Sequence, residues 1–296
     1  MKSIRKINQF ISSGIIVLLL LLSVGCNNID ITEKAKDDVT VKPIIAVSIV
    51  PQRTFVEAVC GGLADIITLV PPGFSPENYE PAPQLMEKFS KASIYFSIGV
   101  TIEESSILPN TGNIKVVSLS EEVLTVYPER SFESGGRDPH IWLSPKRVKL
   151  MVEVIARTMS EFDRANKDIY EKNAADYIAK LDELDRQIVT TLENVKNRKF
   201  IVFHPAFGYL ASDYGLDMYS LEEEGKEATA KHLKDMVDFA KKENIKVIFY
   251  QEEIDSKQSR AFAEEIEGKT IQLAPLSPDY IENFKRMAKT MAEVMR

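Results

Sequence analysis

Short apolar, β-branched runs recur along the chain at Ile44 to Val50, Ile66 to Val70, Ile94 to Ile98 and Lys115 to Leu119. Each is separated from the next by a segment long enough for a crossover connection. Parallel strands need such crossovers, and strands buried on both faces read as continuous apolar runs, so this part of the chain predicts an α/β lobe. A second set appears at Phe200 to Phe203, Leu216 to Tyr219, Val247 to Tyr250 and Thr270 to Leu273. It is interleaved with helical patterns at Ala230 to Glu243 and Ser256 to Glu267, and predicts a second α/β lobe.

Between the two sets, Asn166 to Val195 places Tyr170, Ala174, Tyr177, Leu181, Leu184, Ile188, Leu192 and Val195 at steps of four and three, one continuous apolar stripe. Thirty residues at 1.5 Å each make a helix of about 45 Å, long enough to run along both lobes. The expected architecture is therefore two α/β lobes joined by one long rigid connecting helix, which resists wide hinge motion. The domain order reads 1–25 export signal, 26–42 tether, 43–165 N-terminal lobe, 166–196 connecting helix and 197–296 C-terminal lobe. Upstream of that helix, Ser144-Pro145 is a good helix start, a capping hydroxyl followed by a Pro whose missing donor costs nothing at the first position. Asp138 to Leu143 then reads as a loop ending at that helix.

The first residues have a different pattern. Lys2, Arg5 and Lys6 precede an apolar run from Gly14 to Leu22 and then Ser23-Val24-Gly25-Cys26, the order of an export signal. From Ile11 to Gly25 the apolar segment is about 15 residues, short of the roughly 20 that cross a bilayer as a helix. Leu22-Ser23-Val24-Gly25-Cys26 resembles a bacterial lipobox, with Leu22 one place further from the Cys than usual, which makes Cys26 the expected lipid attachment point. The expected location is extracytoplasmic, lipid-anchored to the bacterial cell membrane, with the polar stretch Asn27 to Lys42 as tether.

Composition narrows the classes. With 44% hydrophobic and 27% charged residues, the 296-residue chain can bury a core in each lobe, so wholesale disorder and fibrous folds are excluded. The formal charge is −7, and removing residues 1–25 takes away three cations and no acid, making it −10. That acidity argues against a nucleic-acid partner and suits the approach of cations. Cys60, in an apolar helical stretch before Gly61-Gly62, lacks a second thiol to pair with once Cys26 is lipidated or lost. It reads as a buried structural thiol, and no thiolate metal cage can form.

Metal ligation must then come from nitrogen and oxygen. The chain has three histidines. His140 lies in Asp138-Pro139-His140-Ile141-Trp142-Leu143-Ser144-Pro145, beside the only Trp, and His204 in Phe203-His204-Pro205-Ala206-Phe207-Gly208-Tyr209, directly after a predicted strand. In open α/β sheets ligands gather at the carboxyl ends of strands. Two imidazoles on Pro-stiffened loops, one from each lobe, suit a borderline divalent metal. His232 reads as a solvated helical residue. Oxygen is offered by Glu77 and Glu80 in the loop Pro71 to Pro81, although by pattern alone both are ordinary surface carboxylates.

The ordered set Val70-Pro71-Pro72-Gly73, Tyr79-Glu80-Pro81, Asp138-Pro139-His140-Ile141-Trp142 and Phe203-His204-Pro205 resembles the zinc- and manganese-binding receptor family of bacterial ABC importers, from about Ile44 to the C-terminus. The resemblance implies two α/β lobes joined by a rigid helix, with one metal in the interlobe cleft, and His140 and His204 as ligands. It also implies three departures. Glu77 stands two residues before Tyr79 where the family usually has His; Ala274, in Leu273-Ala274-Pro275-Leu276, stands where an Asp ligand is common; and the region Tyr127 to Arg137 has no His-rich loop.

The expected metal set is Glu77, His140 and His204, completed by water, by the second oxygen of Glu77, or by an acid of the second lobe, with Glu252 and Glu253, or Glu222 to Glu224, as candidates. Asp138 is a candidate acceptor for a ligating imidazole. Zn²⁺ is favoured, with Mn²⁺ and Fe²⁺ as alternatives. The implied function is a non-enzymatic solute-binding protein, expected to be a monomer, that hands its ion to an ABC permease in the cytoplasmic membrane. Because imidazoles must be neutral to coordinate, capture is expected to weaken below about pH 6. A His-His-Glu set with an open position also builds hydrolytic zinc sites. The chain has no His-Glu-x-x-His helix and no Ser nucleophile elbow, so a zinc hydrolase remains the alternative, together with an adhesin-like surface protein whose metal site is degenerate.

Overall fold

A computed structural model describes residues 42–132, 135–222, 228–254 and 257–295. The expected export signal, Cys26, nearly all of the tether, and Glu223 and Glu224 lie outside the described residues. Among the described residues, no helix is long and apolar enough to cross a membrane.

The first lobe carries β1 (Ile44–Val47), α1 (Val50–Cys60), β2 (Asp65–Thr68), α2 (Pro83–Phe89), β3 (Ile94–Ser97), β4 (Lys115–Ser118) and α3 (Leu119–Leu124). Its four strands are all parallel in the order β2-β1-β3-β4. The central β3, Ile94-Tyr95-Phe96-Ser97, is buried at every position, whereas the edge strands β2 and β4 expose part of their length, as a sheet covered on both faces requires. The strands end earlier than the apolar runs do. At the end of β1 the buried Gln52 side chain accepts from the amides of Ser48 and Ile49 at 2.9 and 3.1 Å and donates to Phe96 O at 3.0 Å. It thereby satisfies amides at the start of α1 and ties that helix to β3.

A single 3₁₀ turn, Ile141–Leu143, leads into α4 (Pro145–Phe162). The sequence pattern suggests plain loop here. The turn forms because the Asp138 carboxylate accepts from His140 N at 3.0 Å and His140 O accepts from Leu143 N at 3.0 Å. Ser144 caps α4, its hydroxyl accepting from Arg147 N at 3.2 Å, with Pro145 at the first position. The connecting helix α5 (Lys167–Leu192) has 26 residues, about 39 Å, shorter than the stripe because Arg164–Asn166 forms a 3₁₀ turn and the helix stops before the buried Val195. Its predicted stripe from Tyr170 to Leu192 is buried throughout.

The second lobe repeats the plan with β5 (Lys199–Val202), α6 (Gly208–Tyr214), β6 (Asp217–Ser220), α7 (Ala230–Lys242), β7 (Val247–Gln251), α8 (Lys257–Glu265), β8 (Lys269–Leu273) and α9 (Tyr280–Val294). Its sheet is again parallel, in the order β6-β5-β7-β8. Thr229 caps α7, and His232 in its first turn is exposed, with Nε2 3.0 Å from Ser220 O.

The lobes share one apolar core. The C-terminal α9 crosses back, so Tyr280 packs edge-on against Phe55 of α1 at 5.0 Å between ring centres, and its hydroxyl donates to Trp142 O at 2.7 Å. Trp142 Nε1 donates to Pro275 O at 3.0 Å. Near the start of α4, Arg147 pairs with Asp213 of α6 at 3.0 Å, and Asp213 also accepts from Ser144 Oγ. The Arg147 guanidinium lies over the rings of Tyr127 and Tyr209 at 5.0 and 4.4 Å. Its side chain is only 4% exposed, so it depends on this partner for charge compensation. Asp213→Ala is expected to destabilise the protein by about 3–5 kcal/mol by stranding a buried cation, read as a lower midpoint in urea unfolding with the slope unchanged. A change under about 1 kcal/mol would show that the pair is dispensable.

Candidate metal centre

Both sheets reverse strand order beside their first strand, and such switch points open a crevice at the carboxyl ends of strands. In the second sheet the reversal falls between β5 and β7, and His204 is the second residue after β5. Pairing with the neighbouring strand continues beyond β6, with Leu221 N donating to Val202 O at 3.0 Å and Glu222 N to Phe203 O at 2.9 Å. That register sets Glu222 beside His204, and His204 Nδ1 lies 3.2 Å from Glu222 Oε2.

His140 comes from the turn before α4, buried to 4% exposure between the rings of Trp142 at 5.2 Å and Phe132 at 6.4 Å. Its Nδ1 lies 2.8 Å from Asp138 Oδ1. A carboxylate oxygen can only accept, so in both imidazoles Nδ1 is the donor and Nε2 turns toward the cleft. Each ring is held from behind by a buried acid, Asp138 in the first lobe and Glu222 in the second.

Glu77 sits in the Pro-rich loop that follows β2. The loop is fastened by Ser75 Oγ accepting from Glu77 N at 3.3 Å, by Ile102 N donating to Pro76 O at 3.3 Å, and by Phe74 packing on Tyr79 at 5.0 Å. Glu77 Oε1 lies 2.9 Å from His204 Nε2 and 3.9 Å from His140 Nε2, and the two Nε2 atoms are 3.2 Å apart. Four ligands at about 2.0–2.1 Å around Zn²⁺ stand about 3.3–3.4 Å from one another, and the three observed separations straddle that value. Among the described residues these three form the one group of His, Cys, Asp and Glu side chains compact enough to hold a metal ion. Glu77 and Glu222 line a cleft of about 670 Å³ that gives access to it.

Charge follows geometry. Burial pushes the Glu77 carboxyl up, but the hydrogen bond from His204 and the fields of His204 and His140 outweigh it and hold the group below its ordinary value. For His204, burial pushes the imidazole down, yet hydrogen bonds and charge from Glu222 and Glu77 raise it to about 9. At neutral pH the metal-free His204 is therefore a cation between two carboxylates, and a metal ion entering must displace its proton. Proton competition for this ligand is thereby shifted to higher pH than an unperturbed imidazole would give.

Several expected residues fall elsewhere. Glu252 is exposed and Glu253 half-buried, and neither joins the group of three. Burial raises the Glu253 carboxyl. Glu222, a candidate ligand by sequence, is placed behind His204 as its acceptor because the strand register puts it on the Nδ1 side. Ala274 offers only backbone, and its carbonyl accepts from Asn283 Nδ2 at 2.7 Å. Cys60 is fully buried, and burial pushes its thiol up to about 12. Pattern alone assigned nothing to Tyr209 and Gly208, which pack against the His140 loop; the Gly before a Tyr just after the His204 motif was the available signal.

Two parallel-sheet lobes around a shared core, presenting one imidazole each to a common cleft, define a two-lobed solute-binding receptor. The family model for ZnuA, described as zinc-uptake complex component A, periplasmic, matches residues 45–294, and the chain belongs to that family. It is thus a receptor of metal transport and not an enzyme. The high-affinity zinc uptake system protein ZnuA of Bacillus subtilis is 31% identical over 278 residues, covering 87% of this chain and 86% of its own length. The zinc-binding protein AdcA of Streptococcus pyogenes is 29% identical over 251 residues, 76% of this chain, and the chain matches only 49% of that protein. A crystal structure of ZnuA superposes with a TM-score of 0.81 at 35% identity, covering 86% of this chain and 100% of the solved one.

The metal-free chain is expected to show one buried imidazole titrating near pH 9 in NMR, lost in His204→Gln. A His204 that titrates at or below the ordinary value of about 6.5 would contradict the two-carboxylate clamp.

Proposed function

We propose that the chain is the extracytoplasmic receptor of a zinc uptake system, taking Zn²⁺ on Glu77 Oε1, His140 Nε2 and His204 Nε2 and delivering it to an ABC permease. The fourth position is taken by water or by the second oxygen of Glu77. The observation that carries this reading is the convergence of three ligand atoms, all within 4.8 Å of one another, from three separate segments of the chain. Two neutral nitrogens and one carboxylate suit Zn²⁺, and the order of intrinsic affinities puts Mn²⁺ and Fe²⁺ below it for the same site. The ZnuA and AdcA relatives, one named a zinc uptake protein and the other a zinc-binding protein, support the same metal. A lipid on Cys26 would tether the receptor, as a monomer, to the bacterial cell membrane on its extracytoplasmic side, and a relative from Streptococcus pneumoniae is named a zinc-binding lipoprotein.

Each part of the site has a task in reversible capture. Asp138 and Glu222 hold the rings at Nδ1, so each Nε2 already faces the ion, which has only to displace the proton on His204. Glu77 supplies a charge that remains ionised at neutral pH.

Titration of the full chain with Zn²⁺ and with Mn²⁺ tests the assignment. His140→Ala and His204→Ala are each expected to lower zinc affinity at least a hundredfold with unchanged circular dichroism, whereas His232→Ala changes neither. Zinc bound equally well by both of the first two variants would sink the assignment. The pH dependence has a definite sign. With His204 raised to about 9, its proton competes at every pH below that value, so zinc affinity is expected to fall about tenfold per unit between pH 8.5 and 7. A flat profile across that window would contradict the raised His204 imidazole.

A further inference from the structure

His140 belongs to the first lobe, but the segment that carries it is held by the second. Residues on either side of a hairpin pair at its neck: Asp138 N donates to Arg130 O at 3.0 Å, Ser131 bridges Arg137 in antiparallel fashion, and Phe132 N donates to Gly136 O at 2.7 Å. The Tyr209 hydroxyl, from α6 of the opposite lobe, inserts at this neck. It accepts from Arg130 N at 3.1 Å and donates to Asp138 O at 3.2 Å, so it fastens both strands of the hairpin next to the metal ligand. Tyr209 is 1% exposed, and its ring is packed under the Arg147 guanidinium, which is itself paired with Asp213 on α6.

The residue before it completes the contact. A Cβ on Gly208 would lie 2.7 Å from Asp138 Oδ2 and 2.8 Å from Arg130 Nε, closer than real Cβ atoms approach. Only the bare backbone of Gly208 lets the Asp138 carboxylate lie flat against α6, 3.6 Å from Arg130 Nε. The other oxygen of that carboxylate orients the His140 ring at Nδ1 and holds the His140 amide. An unbroken series of contacts therefore runs from α6 through Asp138 to the His140 ring.

We propose that Tyr209 and Gly208 are positioning residues for metal capture, through which the seating of the second lobe sets the orientation of an imidazole in the first. When the lobes part by a fraction of a hydrogen-bond length, the Tyr209 hydroxyl leaves the hairpin neck and Asp138 loses its backing. His140 then loses its aim, so affinity drops before any wide opening occurs. The inference rests on the reading of Glu77, His140 and His204 as ligands, and the test separates the two.

Zinc alone and cobalt alone are titrated into the full chain and into His140→Ala, Asp138→Asn, Tyr209→Phe and the Asp138→Asn/Tyr209→Phe double variant. Phe keeps the packed ring and deletes one oxygen. Tyr209→Phe is expected to weaken zinc binding at least tenfold and to alter the visible absorption of bound Co²⁺, a signature of ligand geometry that a loss of stability alone does not move. The double variant is expected to bind no more weakly than Asp138→Asn, because both changes break the same series of contacts. Tyr209→Phe within twofold of the unaltered chain, an unchanged cobalt spectrum, or additive losses in the double variant would overturn the inference. Should Tyr209→Phe fail to fold, Gly208→Ala carries the same expectations with the hydroxyl retained. If His140→Ala itself binds zinc normally, it is the ligand assignment that fails, not the positioning role alone.

Discussion

Three carboxylates and two imidazoles crowd one buried point, and that electrostatic imbalance governs the site. Asp138 and Glu222 are almost fully buried and Glu77 is three-quarters buried at its side chain. With both rings neutral, the cluster carries three negative charges in surroundings that solvate charge poorly, a state that demands a compensating cation. Without metal, the demand is met in part by the proton held on His204 and by Arg130 near Asp138. A divalent ion meets it better, since it faces all three inward atoms at once. The carboxylates behind the rings thus do more than aim them, because they add negative charge close to the point where the three inward atoms converge.

Such a cluster can be built only if the backbone fixes each contributor independently, and the two sheets do this by different means. His204 and Glu222 are set by strand register, because β5 and the extension of β6 run side by side past the ends of the sheet. Glu77 is set by Pro residues on a loop fastened at Ser75 and Pro76. His140 lies on neither sheet; a 3₁₀ turn and the Asp138 side chain hold it. The second lobe then closes the frame through Tyr209, Trp142 and Tyr280.

The fold was legible because parallel, doubly covered strands leave continuous apolar runs and α5 leaves a stripe at helical spacing, both local properties of the chain. The run ends misjudged the strand ends, because residues such as Ser48 and Ile98 remain buried after leaving the ladder, bonded to the Gln52 and Glu103 side chains. The two histidines stood out by rarity and by their Pro-bounded loops. Glu77 did not; as a residue type in a surface loop it is indistinguishable from Glu80, and only the resemblance to metal receptors singled it out. The role of Glu222 was hidden because a one-residue change of register would turn an acceptor at Nδ1 into a residue pointing away. Glu252 and Glu253 were attractive only as acids near the end of a strand, and nothing local to them reports that they stay outside the cluster.

The segment Leu273-Ala274-Pro275-Leu276 serves the site through its backbone. Ala274 cannot coordinate through its side chain, but its carbonyl holds Asn283 and the next carbonyl, of Pro275, accepts from Trp142 across the lobes. Trp142 lies against His140 at 5.2 Å, so the segment supports the site from outside the coordination shell. With the shared core and the Arg147 to Asp213 pair resisting separation of the lobes, wide opening would expose apolar surface at a cost that scales with its area. A coordination bond, by contrast, is lost over a displacement of well under an ångström relative to its length of about 2 Å. A small shift in how the lobes sit on one another would therefore suffice to disturb such a bond, and it would reach His140 most directly through the contacts of α6 with Arg130 and Asp138.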